Sequence, residues 1–466
     1  MFSNKAFWIL ITFLFGIFFI KSATFLDPDF GWHYRNGKTI VQSGIPKTDP
    51  YSYTMPSYQI IDHSWLLDVL IYWGQNLIGQ NGLALVFTAV VILAIVTVIP
   101  TDLRRFSIFP LVLSFPVLVN RAGIRTQMFD WLLLVLLVKI LKHKKVLPLF
   151  FLIWANLHGG FLVGFAVFAI YVFCEFWYDK KTLLLNISYF LLSIFATFIT
   201  PYGWRMWYEV WTTISDPILK SNIIEWFPFW KALEFGFLLP STFVFSIGWM
   251  YKGKIKLFEK FVCIFLFLAG LSALRHISLF ILMVIPLSAY LMRCLYEQAQ
   301  TIPFGKIRFK YLQSILLLIA LTFSIWEIRG LEMTIKYPQN AINFLKNNLP
   351  KENLFAEFGW GGYLDWKLPE KKVFIDGRMN SWRFHTIPNE STWIFKDYMK
   401  VAYDGDYKEI FDKYQIDTVL LTKETLHSGI FVKKEKPYLK LITNLEKDGW
   451  KEIYSDEVAL VLQKPI

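Results

Sequence analysis

The stretch "DPDFGWHYR" (Asp27 to Arg35) sets two carboxylates, an imidazole and a guanidinium just past the first apolar run of the chain. Such side chains take up protons, give them back or hold anions. Asp29 and His33 stand four residues apart, so a helix carries them on one face. Groups of the same kind recur at the ends of later apolar runs: Arg121 and Arg125 in "NRAGIRTQ", His158 in "NLHGG", Glu225 in "IIEWFP", and Arg275 with His276 in "LRHIS". Each has an ordinary structural reading. Aspartate near a helix N-terminus caps it, worth up to about 1 kcal/mol. Arginine at a helix end reaches for headgroups, and a histidine between apolar runs packs with its hydrogen bonds made. Capping accounts for one aspartate more easily than for two.

The elements that position these groups are membrane helices. The 466 residues are 55% hydrophobic and only 18% charged, with a mean hydropathy of +0.41, too apolar for a soluble domain. The net charge of +12 sits in short Lys and Arg clusters between apolar runs, where it sets topology, so no nucleic-acid partner is expected. Cys174, Cys263 and Cys294 lie in or beside apolar runs, without metal-ligand spacing or a partner nearby. Against the roughly 20 apolar residues a crossing needs, the spans read Ala6 to Ile20, Leu83 to Val98, Phe106 to Val119, Met128 to Leu141, Val146 to Leu157, Phe161 to Tyr178, Leu183 to Thr200, Phe235 to Tyr251, Leu257 to Leu271, Ile277 to Met292 and Tyr311 to Trp326. That is about eleven, the shorter ones tilted or re-entrant.

With Lys5 inside, the clusters Arg104 and Arg105, Lys142 to Lys145, Lys180 and Lys181, Lys252 to Lys256, and Lys306 to Lys310 all fall on the cytoplasmic side. The expected protein is multi-pass in the plasma (inner) membrane, with a cytoplasmic N-terminus and an extracytoplasmic C-terminal domain. The alternative for the first run is a signal peptide cleaved near "KSATF". All the polar motifs fall outside, where Arg121, Arg125 and Arg275 run against the charge bias, and one shared polar site explains them together. Outer loop 21–80 is expected to carry two interfacial helices: one from the acid pair to Gly44, with Phe30, Trp32 and Tyr34 at the membrane interface, and one over His63 to Gly79. Residues 1–330 form the membrane domain, and 337–466 a small α/β domain with strands over Lys372 to Gly377, Ile416 to Thr422 and Val458 to Lys464 and a helix over Tyr407 to Gln415. In it, "FGWGGYLDW" and "FIDGR" read either as a turn and a strand end, or as an acceptor surface lined by Trp360, Tyr363, Asp376 and Arg378.

At these motifs the chain resembles the GT-C superfamily of multispanning glycosyltransferases, which carry an acidic residue or Asp-containing motif in the first outer loop. Asp27-Pro28-Asp29 matches that placement. "SGIPKTDPYSYT", "RTQMF", "WANLHGGF", "TPYGW", "EWFPF", "RHISLF", "GWGGYLDW" and "FIDGR" extend the likeness, over nearly the whole chain, to a group of bacterial membrane proteins assigned to that superfamily. The resemblance implies a mostly α polytopic membrane fold of about eleven transmembrane helices with a small C-terminal α/β extracytoplasmic domain. It implies inverting transfer of a sugar from a polyprenyl-phosphate-linked donor to a hydroxyl of a glycan, lipid or protein acceptor. Asp29, then Asp27, would be the base. Arg121, Arg125, Arg275 and His276 would meet the carrier phosphate, with His33, Arg35, His158 and Glu225 as further site residues. Metal-dependent members imply Mg2+ or Mn2+ on Asp27, Asp29 and Glu225; metal-independent members exist, and both readings stay open. The "WWDYG" motif of oligosaccharyltransferases is absent, which speaks against peptide asparagine as acceptor. The rival classes are a transporter or flippase of lipid-linked sugars, for which internal repeats and mid-membrane charges are missing, a polysaccharide polymerase or ligase, and a non-catalytic scaffold.

Overall fold

Each apolar run singled out above folds as helix. The computed structural model describes residues 3–329, 336–383, 386–423 and 438–465. The helices are α1 (Asn4–Thr24), α2 (Phe30–Ser43), α3 (Trp65–Val98), α4 (Ile108–Arg121), α5 (Met128–Ile140), α6 (Leu147–Leu157), α7 (Phe161–Tyr178), α8 (Leu183–Ala196), α9 (Arg205–Ser215), α10 (Leu219–Asn222), α11 (Phe235–Met250), α12 (Leu257–Ser272), α13 (Ile277–Gln300) and α14 (Gly305–Arg329). Among the described residues five segments, Asn4–Thr24, Trp65–Val98, Phe161–Tyr178, Leu274–Gln300 and Gly305–Arg329, are long and apolar enough to cross a membrane, which makes this a multi-pass membrane protein. The other apolar helices are shorter, and length alone does not establish eleven crossings.

Contacts divide the chain into two units that do not follow chain order. The first holds Met1–Phe25, Gln80–Met206 and Lys220–Thr334; the second holds Leu26–Gly79, Trp207–Leu219 and Ile335–Ile466. The first outer loop thus folds with the C-terminal residues and not as an appendage of the membrane helices. The change of unit inside α3 falls at Gly79, whose φ of 67° interrupts the helical backbone. That left-handed region is open to glycine at no steric cost.

In the first unit α4 packs against α1, α11, α13 and α14 and is buried from Ile108 to Val119. Leu184 and Leu191 on α8 and Leu318 and Ile325 on α14 stay exposed, as suits lipid-facing helices.

In the second unit four strands, β1 (Asn353–Ala356), β2 (Ile416–Thr422), β3 (Lys451–Ser455) and β4 (Ala459–Gln463), form a sheet in the order β1-β2-β4-β3. β1 and β2 run parallel with Ala356 opposite Leu420; β4 runs antiparallel to β2 with Val461 opposite Leu420. The helices of this part are α15 (Gln339–Asn347), α16 (Gly361–Lys367), α17 (Ile394–Met399), α18 (Lys408–Lys413) and α19 (Leu439–Lys447). Leu354, Ala356, Leu420 and Val461 pack with Ala341, Leu345, Trp360 and Leu364 as the core. β2, β4 and α18 fall where expected. The strand expected over Lys372 to Gly377 does not form, because the first loop takes its hydrogen bonds. Val373 N donates to Tyr51 O at 3.0 Å, Tyr53 N donates to Val373 O at 3.2 Å and Thr54 Oγ1 donates to Phe374 O at 2.7 Å.

Candidate functional site

In the second unit the two aspartates of the acid turn divide the work. Asp27 Oδ1 accepts the Asp29 amide at 2.9 Å and closes the turn that starts α2. Asp29 occupies the cap position, and its side chain makes no capping hydrogen bond, so the start of the helix uses Asp27. Three glycines bring this turn against the C-terminal motifs. A Cβ on Gly31 would stand 1.8 Å from Gly362 O, one on Gly362 2.4 Å from Pro28 O, and one on Gly377 2.0 Å from Asp29 Oδ1. The glycines of "DFGW", "GWGG" and "FIDG" therefore let α2 lie backbone to backbone on α16, with the Asp29 carboxylate over Gly377. Phe30 and Trp32 are buried here, Phe30 edge-on to Trp366 at 5.1 Å, which corrects their expected place at a membrane interface.

His33 shares a helix face with Asp29, but its Nδ1 pairs with Asp68 Oδ1 at 2.6 Å. Asn36 Nδ2 donates to Asp62 Oδ2 at 2.6 Å and to Asp68 Oδ2 at 2.8 Å, and Ser64 Oγ donates to Asp62 Oδ1 at 2.9 Å. Burial pushes the imidazole below its ordinary range, against the opposing pull of Asp29, Asp62 and Asp27. Burial, and then the charge of Asp68, raise Asp62 well above the usual carboxylate range. Arg35 is a structural tie: Nη1 donates to Asp365 Oδ1 and Nη2 to Pro369 O, both at 3.0 Å. Arg378 binds Asp376 Oδ2 at 2.5 Å and Asp49 Oδ1 at 3.0 Å. The two guanidiniums lie 4.9 and 4.7 Å from the Tyr51 ring. Trp360, Tyr363 and Asp376 are buried, so "FGWGGYLDW" and "FIDGR" build the interior of this unit and not an acceptor surface. Asp68, Asp62, Asp49 and Asp365 were not singled out in the sequence. The last two stand inside quoted motifs, which was the available signal.

In the first unit Arg125 pairs with Glu225, and Gln127 Nε2 reaches the other carboxylate oxygen at 3.5 Å. Arg275 lies 4.4 Å from the Trp226 ring, and its charge acts on the same carboxylate. Burial would raise Glu225, but Arg125 and Arg275 outweigh it and hold the group down at about 2. Arg121 Nη2 meets Glu234 Oε1 at 2.5 Å, a more evenly matched pair. His276 Nδ1 lies 3.3 Å from Ala269 O. His158 is buried with Nδ1 2.5 Å from Asp130 Oδ2, whose other oxygen accepts Trp154 Nε1 at 2.7 Å. A Cβ on Gly160 would stand 2.3 Å from that carboxyl group. "NLHGG" is thus a packing motif around Asp130, a partner supplied from α5 that local spacing does not reveal.

Among the described residues no three or more His, Cys, Asp or Glu side chains gather as a metal site requires. Glu225 is committed to Arg125, so the donor set Asp27, Asp29 and Glu225 does not fit a cation.

No family model and no curated protein matches the chain. Solved structures do. The archaeal oligosaccharyltransferase AglB from Archaeoglobus fulgidus, in complex with an inhibitory peptide and a dolichol-phosphate, is 11% identical and superposes with a TM-score of 0.60 over 90% of this chain and 70% of that one. The apo oligosaccharyltransferase of the same organism is 10% identical with a TM-score of 0.60 over 89% and 69%. A form tethered to an acceptor peptide containing the NVT sequon gives 11% and 0.56 over 90% and 69%. The chain shares the fold of these archaeal oligosaccharyltransferases. At this identity the likeness is one of fold. On this fold two features stand where chemistry is possible: the Asp29 carboxylate at the first turn of α2, and Arg125 and Arg275 around Glu225.

Proposed function

We propose that the chain is a glycosyltransferase that moves a sugar, with inversion, from a polyprenyl-phosphate-linked donor to an acceptor hydroxyl at the outer face of the plasma membrane. The observation that carries this reading is the placement of Asp29: on a fold like that of solved oligosaccharyltransferases, it follows directly after α1 at the first turn of α2, with its carboxylate over Gly377. As base it takes the proton of the acceptor hydroxyl, whose oxygen attacks the anomeric carbon while the bond to phosphate breaks on the opposite side. Phosphate leaves without a proton, so it needs positive charge and no acid. In this reading Arg121, Arg125 and Arg275, which stand beside carboxylates in the first unit, would supply that charge. One of the solved GT-C proteins holds a dolichol-phosphate, the carrier class this scheme requires. Eleven crossings with the N-terminus inside would put the acid turn, the arginines and the C-terminal α/β residues outside. No step runs through a metal, because Glu225 is taken by Arg125.

The test is transfer from a panel of polyprenyl-phosphate sugars by the purified protein in lipid nanodiscs. Asp29→Asn should lose on the order of a hundredfold in rate or more and keep its affinity for the donor. An Asp29→Asn protein that transfers at the parent rate ends the proposal. Movement of labelled lipid-linked sugar across proteoliposomes without transfer would favour a flippase.

A further inference from the structure

Beside the acid turn stands a hydrogen-bond donor that the fold leaves unused. Trp32 is 6% exposed, and its buried Nε1 has no hydrogen-bond partner among the described residues. Buried indoles ordinarily find one. Trp154 on α6 shows the usual arrangement, its Nε1 donating to Asp130 Oδ1 at 2.7 Å. A buried N–H without an acceptor weakens the fold, so its presence calls for a reason.

That reason lies at Gly377. The place a Cβ on Gly377 would take is 2.0 Å from Asp29 Oδ1 and 3.5 Å from Trp32 Nε1, so a carboxylate oxygen and an unpaired donor border the same gap. The two residues stand three apart at the start of α2, on one face of the helix. The indole is fixed. Its Cδ1 lies 3.2 Å from the place of a Cβ on Gly362, and its ring lies against His33 with centroids 3.6 Å apart and planes 32° apart. His33 is in turn held by Asp68 at 2.6 Å. The carboxylate is the member of the pair that can move, since a turn about its own side-chain bonds shifts no backbone.

We propose that Trp32 is the positioning donor of the Asp29 carboxylate: in the working enzyme one carboxylate oxygen takes the hydrogen bond of Trp32 Nε1, and the other is left facing the acceptor hydroxyl. This rests on Asp29 being the base. A carboxylate held at one oxygen by a rigid donor presents the other in a single orientation, which is what proton abstraction in line with attack requires. Trp32 touches neither sugar nor phosphate and acts through Asp29.

The experiment uses the full-length protein in nanodiscs with benzothienylalanine in place of Trp32, an isostere with sulfur where the indole carries its N–H. It should melt no lower than the parent, since the fold makes no hydrogen bond at that atom. In transfer from a polyprenyl-phosphate hexose its kcat should fall about tenfold at unchanged KM for donor and acceptor. A purely structural indole leaves kcat at the parent value, and that result overturns the assignment. So does a raised acceptor KM at parent kcat, which puts the indole on the acceptor instead. A second measurement needs no turnover: the 15N-indole signal of Trp32, identified by its loss in Trp32→Phe, on protein saturated with polyprenyl phosphate. Asp29→Asn keeps an acceptor oxygen and should leave the indole proton near its parent shift, whereas Asp29→Ala should move it upfield. Equal shifts in parent, Asp29→Asn and Asp29→Ala overturn the pairing. If Asp29→Asn is inactive and the isostere turns over at the parent rate, the positioning role alone fails. If Asp29→Asn still transfers at the parent rate, the base assignment itself fails.

Discussion

Aspartate at the first turn of a helix is ordinarily spent on the helix, and the acid pair shows where that rule applies. Asp27 does the turn's work through one acceptor oxygen, which asparagine also carries. Asp27→Asn should therefore melt with the parent protein, whereas Asp27→Ala should lose about 1 kcal/mol, read from thermal unfolding in detergent. At the other acidic position, Glu225, the sign of the pH dependence follows from its partners. Its folded value of about 2 lies below its ordinary 4.5, so its contribution to stability is complete above 4.5 and is lost as pH falls toward 2. The gap in melting temperature between the parent and Glu225→Gln should be flat above about pH 5 and close on further acidification. A gap that widens in acid would refute the pairing. These partners were not legible in the sequence, since Arg125 and Glu225 lie 100 positions apart and periodicity reports only neighbours on the same element. What could be read was residue type and side of the membrane.

At the scale of elements, the glycines of separate motifs explain one another. Gly31 and Gly362 allow two helices to meet at their backbones, a contact that no flexible side chain can yield to. Gly362→Ala should cost about 1 to 3 kcal/mol and make the C-terminal residues more open to limited proteolysis. Arg378→Ala, which strands the buried Asp49 and Asp376, should cost about 3 to 5 kcal/mol. Lysine should not restore the loss, because the two carboxylates use separate nitrogens of one planar fork. Long apolar helices were the most legible elements, since their burial or lipid exposure is uniform along the run. The expected strand at Lys372 to Gly377 had the right alternation, but residues 51–54 satisfy it from outside the sheet. β1 and β3 went unseen because they are short, and β3 is only partly buried.

For the molecule as a whole, the sequence suggested a membrane domain over residues 1–330, with the outer loop 21–80 part of it, followed by a soluble α/β domain over 337–466. Leu26–Gly79 belongs with Ile335–Ile466, an association between distant stretches that composition along the chain cannot report. The consequence is physical. Residues 337–466 expressed alone would expose the α16 face that receives α2. They would also leave Asp365 without Arg35, and Arg378 without Asp49 and the Tyr51 ring. Buried charges stripped of partners are costly, and a small domain has little stability in reserve. The isolated fragment should give poorly dispersed NMR spectra and no cooperative melt, while the same fragment joined by a flexible linker to residues 26–79 should give both dispersion and a sigmoidal transition. A cooperative melt of 337–466 alone would show that the sheet and its helices form a self-sufficient domain, and that the first loop only docks on it.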